Sequence, residues 1–180
     1  MSSATEPRIQ SADVITTSVR ALFLHGPRAS EPTDPAPTPM IAVARTMALT
    51  GLGLEGDDRY LSATRRNGSE NLRQVSLIDE GTLARLIDRF GPFPLEFVKS
   101  QIVLAGDIRL SDCLGHRIRF GEGEDAVILE LMIHRQPCYA MDLIHPGLKA
   151  AMENGEQGAL ARVLRGGLIE VGMPVTVRGI

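Results

Sequence analysis

The chain has no tryptophan, and only two tyrosines and five phenylalanines among 180 residues. That is too few rings for a surface that stacks nucleic-acid bases. Lysine is almost missing as well, confined to Lys99 and Lys149, and the 19 basic residues are outnumbered by 22 acidic ones. A net charge of -3 argues against a nucleic-acid partner, because a duplex-binding module gathers a basic excess on one face. No apolar run approaches the length of a membrane span, so no membrane partner is expected. The opening residues, 1–7, are polar and charged and lack the apolar stretch of a signal peptide. The expected location is the cytoplasm. Two cysteines, Cys113 and Cys138, cannot build a structural zinc site alone, and a reducing cytoplasm keeps both as free thiols. The Gly-x-Ser-x-Gly elbow of a serine hydrolase is absent, as is the Lys-Ser/Thr ending of a phosphate loop. His25, His116, His134 and His145 are scattered, with no pair at the helical spacing a zinc site favours.

What remains is an ordinary globular composition, 43% hydrophobic and 23% charged, at a length that suits one domain. Residues 1–11 read as a polar, disordered tail and 12–180 as the domain. Residues 14–25 are rich in Val, Thr, Ile and Leu and predict a strand. Pro27, Pro32, Pro35, Pro37 and Pro39 make 26–40 a long exposed loop, since such density forbids helix and ladder alike. Residues 41–50 are apolar and fit either a strand or a short helix, and 51–60 form a charged, glycine-rich turn. A strand over 73–78 leads to Asp79, a helix N-cap. The helix Glu80–Phe90 carries Leu83, Leu86, Ile87 and Phe90 on one face, and Gly91-Pro92 stops it. Short strands follow at Ile102–Leu104, Arg117–Phe120, Val127–His134, 168–171 and 175–177. Helical pieces are expected at 146–153 and 156–164. Many short strands spaced by glycine predict a mainly β (α+β) fold, a closed or nearly closed barrel with a few peripheral helices.

One segment stands out for chemistry. An apolar strand ends in His134 and Arg135, and Pro137 breaks the ladder just before Cys138. A thiol at a strand end is held by a rigid element and can still face a cleft. Arg135 and His134 would favour the thiolate, which is both the nucleophile and the metal ligand, although the two side chains point to opposite faces of the strand. The competing reading is a small buried hydrophobe, the usual fate of a lone cysteine. Cys113, with only Asp112 beside it in charge, reads as that packing residue. The turn bearing Glu55, Asp57, Asp58 and Arg59 could bring backbone N–H groups to an anion, but taken alone it reads as a solvated turn.

In order along the chain, these pieces resemble the MOSC family, named for the C-terminal domain of molybdenum cofactor sulfurase. The resemblance runs through Gly53-Leu-Glu-Gly-Asp57 with Arg59-Tyr60, then Arg73-Gln-Val-Ser-Leu-Ile78, then Ile102-Val103 with Gly106-Asp107-Ile108. It continues through Leu114-Gly115, Arg135-Gln-Pro-Cys138, Gly158 with Arg162-Val163, and Gly167-Leu-Ile-Glu-Val-Gly172. This chain departs from the family by placing Lys99-Ser-Gln101 where Arg and Asn often precede the strand. Both changes keep hydrogen-bond donors, but lysine lacks the bidentate fork. It also has Met173 after Gly172, where many members have Asp.

The resemblance implies a β-barrel and a molybdenum cofactor (molybdopterin). Cys138 would be the metal ligand and catalytic thiol, matching the family cysteine that binds molybdenum or carries sulfur. Arg135, Lys99 and Gln101 would hold the pterin or its phosphate, and Gly56, Asp57 and Arg59 would shape the site. Related amidoxime-reducing proteins reduce N-hydroxylated compounds, so a small-molecule substrate of that class is implied, with electrons from a separate donor protein. A sulfur carrier using a Cys138 persulfide, loaded by a cysteine desulfurase, is the alternative; a non-catalytic cofactor-binding module is another. Pyridoxal phosphate belongs to the separate aminotransferase-like domain of the sulfurase and is not expected on this chain.

Overall fold

The computed structural model describes residues 14–27, 39–58, 61–153 and 155–179. The expected polar tail at 1–11 and most of the proline-rich loop therefore lie outside the described residues. The strands are β1 (Val14–Leu24), β2 (Ile41–Val43), β3 (Arg45–Leu49), β4 (Gly53–Leu54), β5 (Val75–Asp79), β6 (Ile102–Leu104), β7 (Arg117–Phe120), β8 (Val127–His134), β9 (Ala159–Arg165), β10 (Gly167–Glu170) and β11 (Pro174–Arg178). The helices are α1 (Glu80–Phe90), α2 (Ala140–Ile144) and α3 (Leu148–Ala151). No described helix is long and apolar enough to cross a membrane.

Seven strands close a barrel in the order β1, β11, β7, β8, β9, β5, β6 and back to β1. Among the described strands only β5 and β6 run parallel, and the segment carrying α1 makes the crossover that a parallel pair requires. β2 extends the edge beside β1, and β10, β3 and β4 form a small separate sheet. Inward positions alternate cleanly where one face meets solvent. On β8, Val127, Leu129 and Leu131 are buried while Ile128, Glu130 and Met132 are half-exposed. The barrel interior is a single apolar cluster that includes Leu77, Ile102, Phe120, Leu129, Leu131 and Val177. Burying one such side chain contributes roughly 1.5–3 kcal/mol relative to leaving it in water.

A second cluster lies outside the barrel wall, where Phe23, Ile78 and Val103 meet α1 and the short helices through Leu86, Met141 and Leu148. α1 forms where its pattern predicts. Asp79 Oδ1 accepts from Thr82 N at 3.0 Å as the N-cap, and Leu83 and Leu86 are buried. The ambiguous stretch after the proline-rich loop resolves into β2 and β3. The helix expected over 156–164 is corrected to β9. Its alanines favour helix locally, but pairing with β5 on one side and β8 on the other decides the outcome, as sheet context routinely does.

Gly158 leads into β9 with φ +79, and a Cβ there would sit 2.1 Å from Leu77 O. Only glycine allows that conformation and that approach together. The Gly158 carbonyl accepts Arg135 N at 3.0 Å. Gly158 thus lies against β5 on one side and fixes where the chain leaves β8 on the other.

Candidate functional site

The glycine-rich turn folds so that its charge is not uniformly solvated. Glu55, Gly56 and Asp58 are exposed, but Asp57 is only 2% accessible, which corrects the solvated-turn reading at that residue. Gly56 turns the chain with φ +80 and delivers the carboxylate inward. Asp57 Oδ2 accepts from His25 N at 2.9 Å, from His25 Nδ1 at 2.8 Å, and from Gln101 Nε2 at 2.9 Å. His25 follows directly on β1, so the carboxylate ties the end of that strand to the segment entering β6. An ionised acceptor makes these hydrogen bonds stronger than neutral ones.

Gln101 is fully sealed at 0% exposure. Its Oε1 accepts from Ser76 N at 2.9 Å, its own N–H donates to Ser76 Oγ at 3.0 Å, and its carbonyl accepts from Phe23 N at 2.8 Å. Every polar group of this residue is thereby directed to a protein partner across β1 and β5. Gln101 is a positioning residue that locks the segment before β6.

Arg135 reaches the same segment from the end of β8. It is 8% accessible, and its Nη1 donates to Val98 O at 3.1 Å and Ser100 Oγ at 2.8 Å. Between these two acceptors lies Lys99, half-buried and held at φ 65. A left-handed lysine is uncommon; here Val98 and Ser100 are pinned on either side of it. His134 turns to another neighbour, with Nε2 3.0 Å from Ser111 O.

Cys138 lies three residues beyond Arg135, past Pro137, and is exposed. Its carbonyl accepts Met141 N at 3.1 Å, and Met141 is anchored in the outer apolar cluster. The thiol segment is therefore held at both ends, by Arg135 and by Met141. Tyr139 beside it is 76% accessible. Cys113, in contrast, is buried. Loss of solvation, reinforced by the carboxylates of Asp112 and Asp79, pushes its thiol up to about 11. It is a packing residue, as expected.

The structure thus links Asp57, Gln101 and Arg135 through Ser100, with Lys99 inside the linked segment and exposed Cys138 three residues beyond Arg135. Arg59 lies outside the described residues. Sequence reasoning missed His25, Ser76 and Ser100. Ser76 lies within the Arg73-Gln-Val-Ser-Leu-Ile78 element, which was the available signal; His25 had none, being 32 positions from its partner.

The model of the MOSC domain matches residues 64–176, well over half of the chain. The chain belongs to the MOSC domain family. MOSC domains are associated in general with binding of the molybdenum cofactor. No curated protein sequence matches the chain. Among solved structures it is similar to the YuaD protein from Bacillus subtilis, with TM-score 0.73 and 18% identity over 93% of this chain and 98% of that one. It is also similar to YiiM from Geobacillus stearothermophilus, with TM-score 0.64 and 20% identity over 89% of this chain and 74% of that one. YiiM from Escherichia coli gives TM-score 0.60 and 19% identity over 89% and 69%. At these identities the likeness establishes the MOSC barrel.

Proposed function

We propose that this MOSC protein holds a molybdenum cofactor through Cys138 and reduces N-hydroxylated compounds. The observation that carries the reading is the run of contacts from Asp57 through Gln101 and Ser100 to Arg135, which leaves Cys138 as an exposed thiol on an anchored segment.

The residues suit the group. A thiolate is a soft donor matched to a soft metal centre. Among the described residues no group of three or more His, Cys, Asp or Glu could hold a metal ion, so a metal at Cys138 takes its other ligands from an organic group such as a pterin dithiolene. Lys99 and Arg135 bring positive charge for the pterin phosphate, and exposed Gly56 lies in the turn that delivers Asp57. Asp57 and Gln101 act from beneath, by fixing the backbone that presents Lys99. Bound there, the group supplies a two-electron centre able to cleave an N–O bond, while the protein binds and orients it. Electrons come from a separate donor protein. A cytoplasmic setting keeps the Cys138 thiol reduced.

Exposure of the thiol also supports a second reading, in which Cys138 carries a persulfide received from a cysteine desulfurase. Two measurements separate the readings. Protein from a cofactor-competent host is assayed for molybdenum and pterin, wild type beside Cys138→Ala, and for amidoxime reduction with an artificial electron donor. Stoichiometric cofactor lost in the variant, with turnover, supports the reductase; bound cofactor without turnover identifies a binding module. Mass spectrometry after incubation with a desulfurase shows a single added sulfur on Cys138 if the chain is a carrier.

A further inference from the structure

The outer wall of the barrel carries a row of charge that the proposed cofactor site does not use. Cross-strand register places Arg178 of β11 opposite Arg117 of β7, Arg117 opposite Glu130 of β8, and Glu130 opposite Arg162 of β9. Directly opposed residues share one face of a sheet, so these four side chains form one transverse line. The single carboxylate in it is already taken. Arg162 holds Glu130 at 2.7 Å through both Nε and Nη2, and its Nη1 reaches Glu70 at 3.3 Å. Arg117 and Arg178 are left facing each other with like charge.

Arg119, two residues along β7 on the same outward face, adds a third cation, and its Nη2 donates to the Gly123 carbonyl in the turn between β7 and β8. None of these three arginines forms an ion pair with a described residue. Like charges directly opposed across strands destabilise a sheet, and arginine does not escape by losing its proton. The three line one cleft of about 290 Å³ together with Thr176, Ile128 and Gly179. Thr176 is the register partner of Arg119 and adds a hydroxyl.

We propose that this cleft is a second binding site, one that takes the phosphate group of a small molecule. Arginine forks match phosphate oxygens in pairs, and a dianion relieves the repulsion between Arg117 and Arg178. The volume lies at the lower limit for small-molecule pockets, which suits a phosphate with a compact organic body against Ile128. Ile128 and His134 are six residues apart on β8, roughly 20 Å at the rise of a strand. The cleft is therefore separate from the Cys138 segment, and the proposal stands whether or not a cofactor binds there.

The test is calorimetric titration of the full chain in low-salt buffer free of phosphate and sulfate, with inorganic phosphate in one arm and phenyl phosphate in the other. Saturable binding is expected in at least one arm. Tighter phenyl phosphate assigns the site to a phosphorylated organic molecule, and tighter inorganic phosphate to the free anion. Arg117→Gln and Arg178→Gln, each alone, are expected to weaken binding about tenfold or more. Without ligand these variants should melt no lower than wild type, because each removes a repulsive neighbour. Absence of saturation in both arms overturns the proposal. So does affinity unchanged in both variants, or a loss of binding that merely follows a lowered melting temperature.

Discussion

Gln101 Nε2 and Asp57 Oδ2 meet at 2.9 Å across 44 positions of sequence, and both side chains are sealed from solvent. The bond joins the glycine-rich turn to the start of β6. Asp57→Ala removes the one oxygen that three donors share, leaving buried N–H groups of His25 and Gln101 without it. Each such loss costs about 1–3 kcal/mol. The expected outcome is about 3 kcal/mol of lost stability by denaturant unfolding. A change below about 0.5 kcal/mol would show that the carboxylate organises nothing.

The two thiols should differ sharply in reactivity. An alkylating reagent is expected to modify Cys138 in the folded protein and Cys113 only after denaturation. Burial also makes Cys113 a source of pH-dependent stability. Its thiol ionises near 11 when folded against an ordinary 9.0, so above pH 9 the unfolded chain gives up the proton first. The stabilisation is complete below that value and declines by about 1.4 kcal/mol per pH unit through the window up to about 11. Urea unfolding at about pH 8 and about pH 10 checks this: wild type should lose more stability between the two than Cys113→Ala.

Gly158→Ala tests the close approach at the head of β9. The added Cβ meets Leu77 O at 2.1 Å and the residue is held at φ +79. Strain and steric conflict together should cost about 2–5 kcal/mol. Gly51 has a similar φ of +71 but nothing within 4 Å of a built Cβ, so Gly51→Ala should cost only about 1–2 kcal/mol. Equal melting temperatures for the two variants would mean that the β9–β5 approach relaxes freely.

Arg135 connects the end of β8 to Val98 and Ser100. Arg135→Ala is expected to lower stability by about 1–3 kcal/mol and, on the cofactor reading, to lower cofactor content with Cys138 intact. Arg135→Lys keeps the charge but not the planar fork, and should fall between the two. Cofactor retained in full by the alanine variant would remove Arg135 from the binding site.

Much of the barrel was legible because its strands alternate, as β8 does, or because a cap announces an element, as Asp79 does for α1. β9 was not. Its Ala-Leu-Ala-Arg opening suits a helix until two neighbouring strands claim it, and those neighbours are distant in sequence. The site divides in the same way. The Pro137-Cys138 step is local, and the exposed thiol follows from it. The buried pairing of His25 with Asp57 depends on two loops brought together by barrel closure, which no local pattern records. In the small sheet, β10 was read close to its place and β3 was left open between strand and helix, but β4 went unread because it spans only Gly53–Leu54.

The barrel is sealed by β1 bonding to β11, from Val14 against Arg178 to Ser18 against Pro174. A nascent chain emerging from the ribosome therefore cannot finish its core until residues 174–178 are available. Until then β1 and β7 each present an open backbone edge, the kind of surface that mispairs with other chains. Closing a ring over so long a contour slows folding, because the first and last strands must meet before the core is complete.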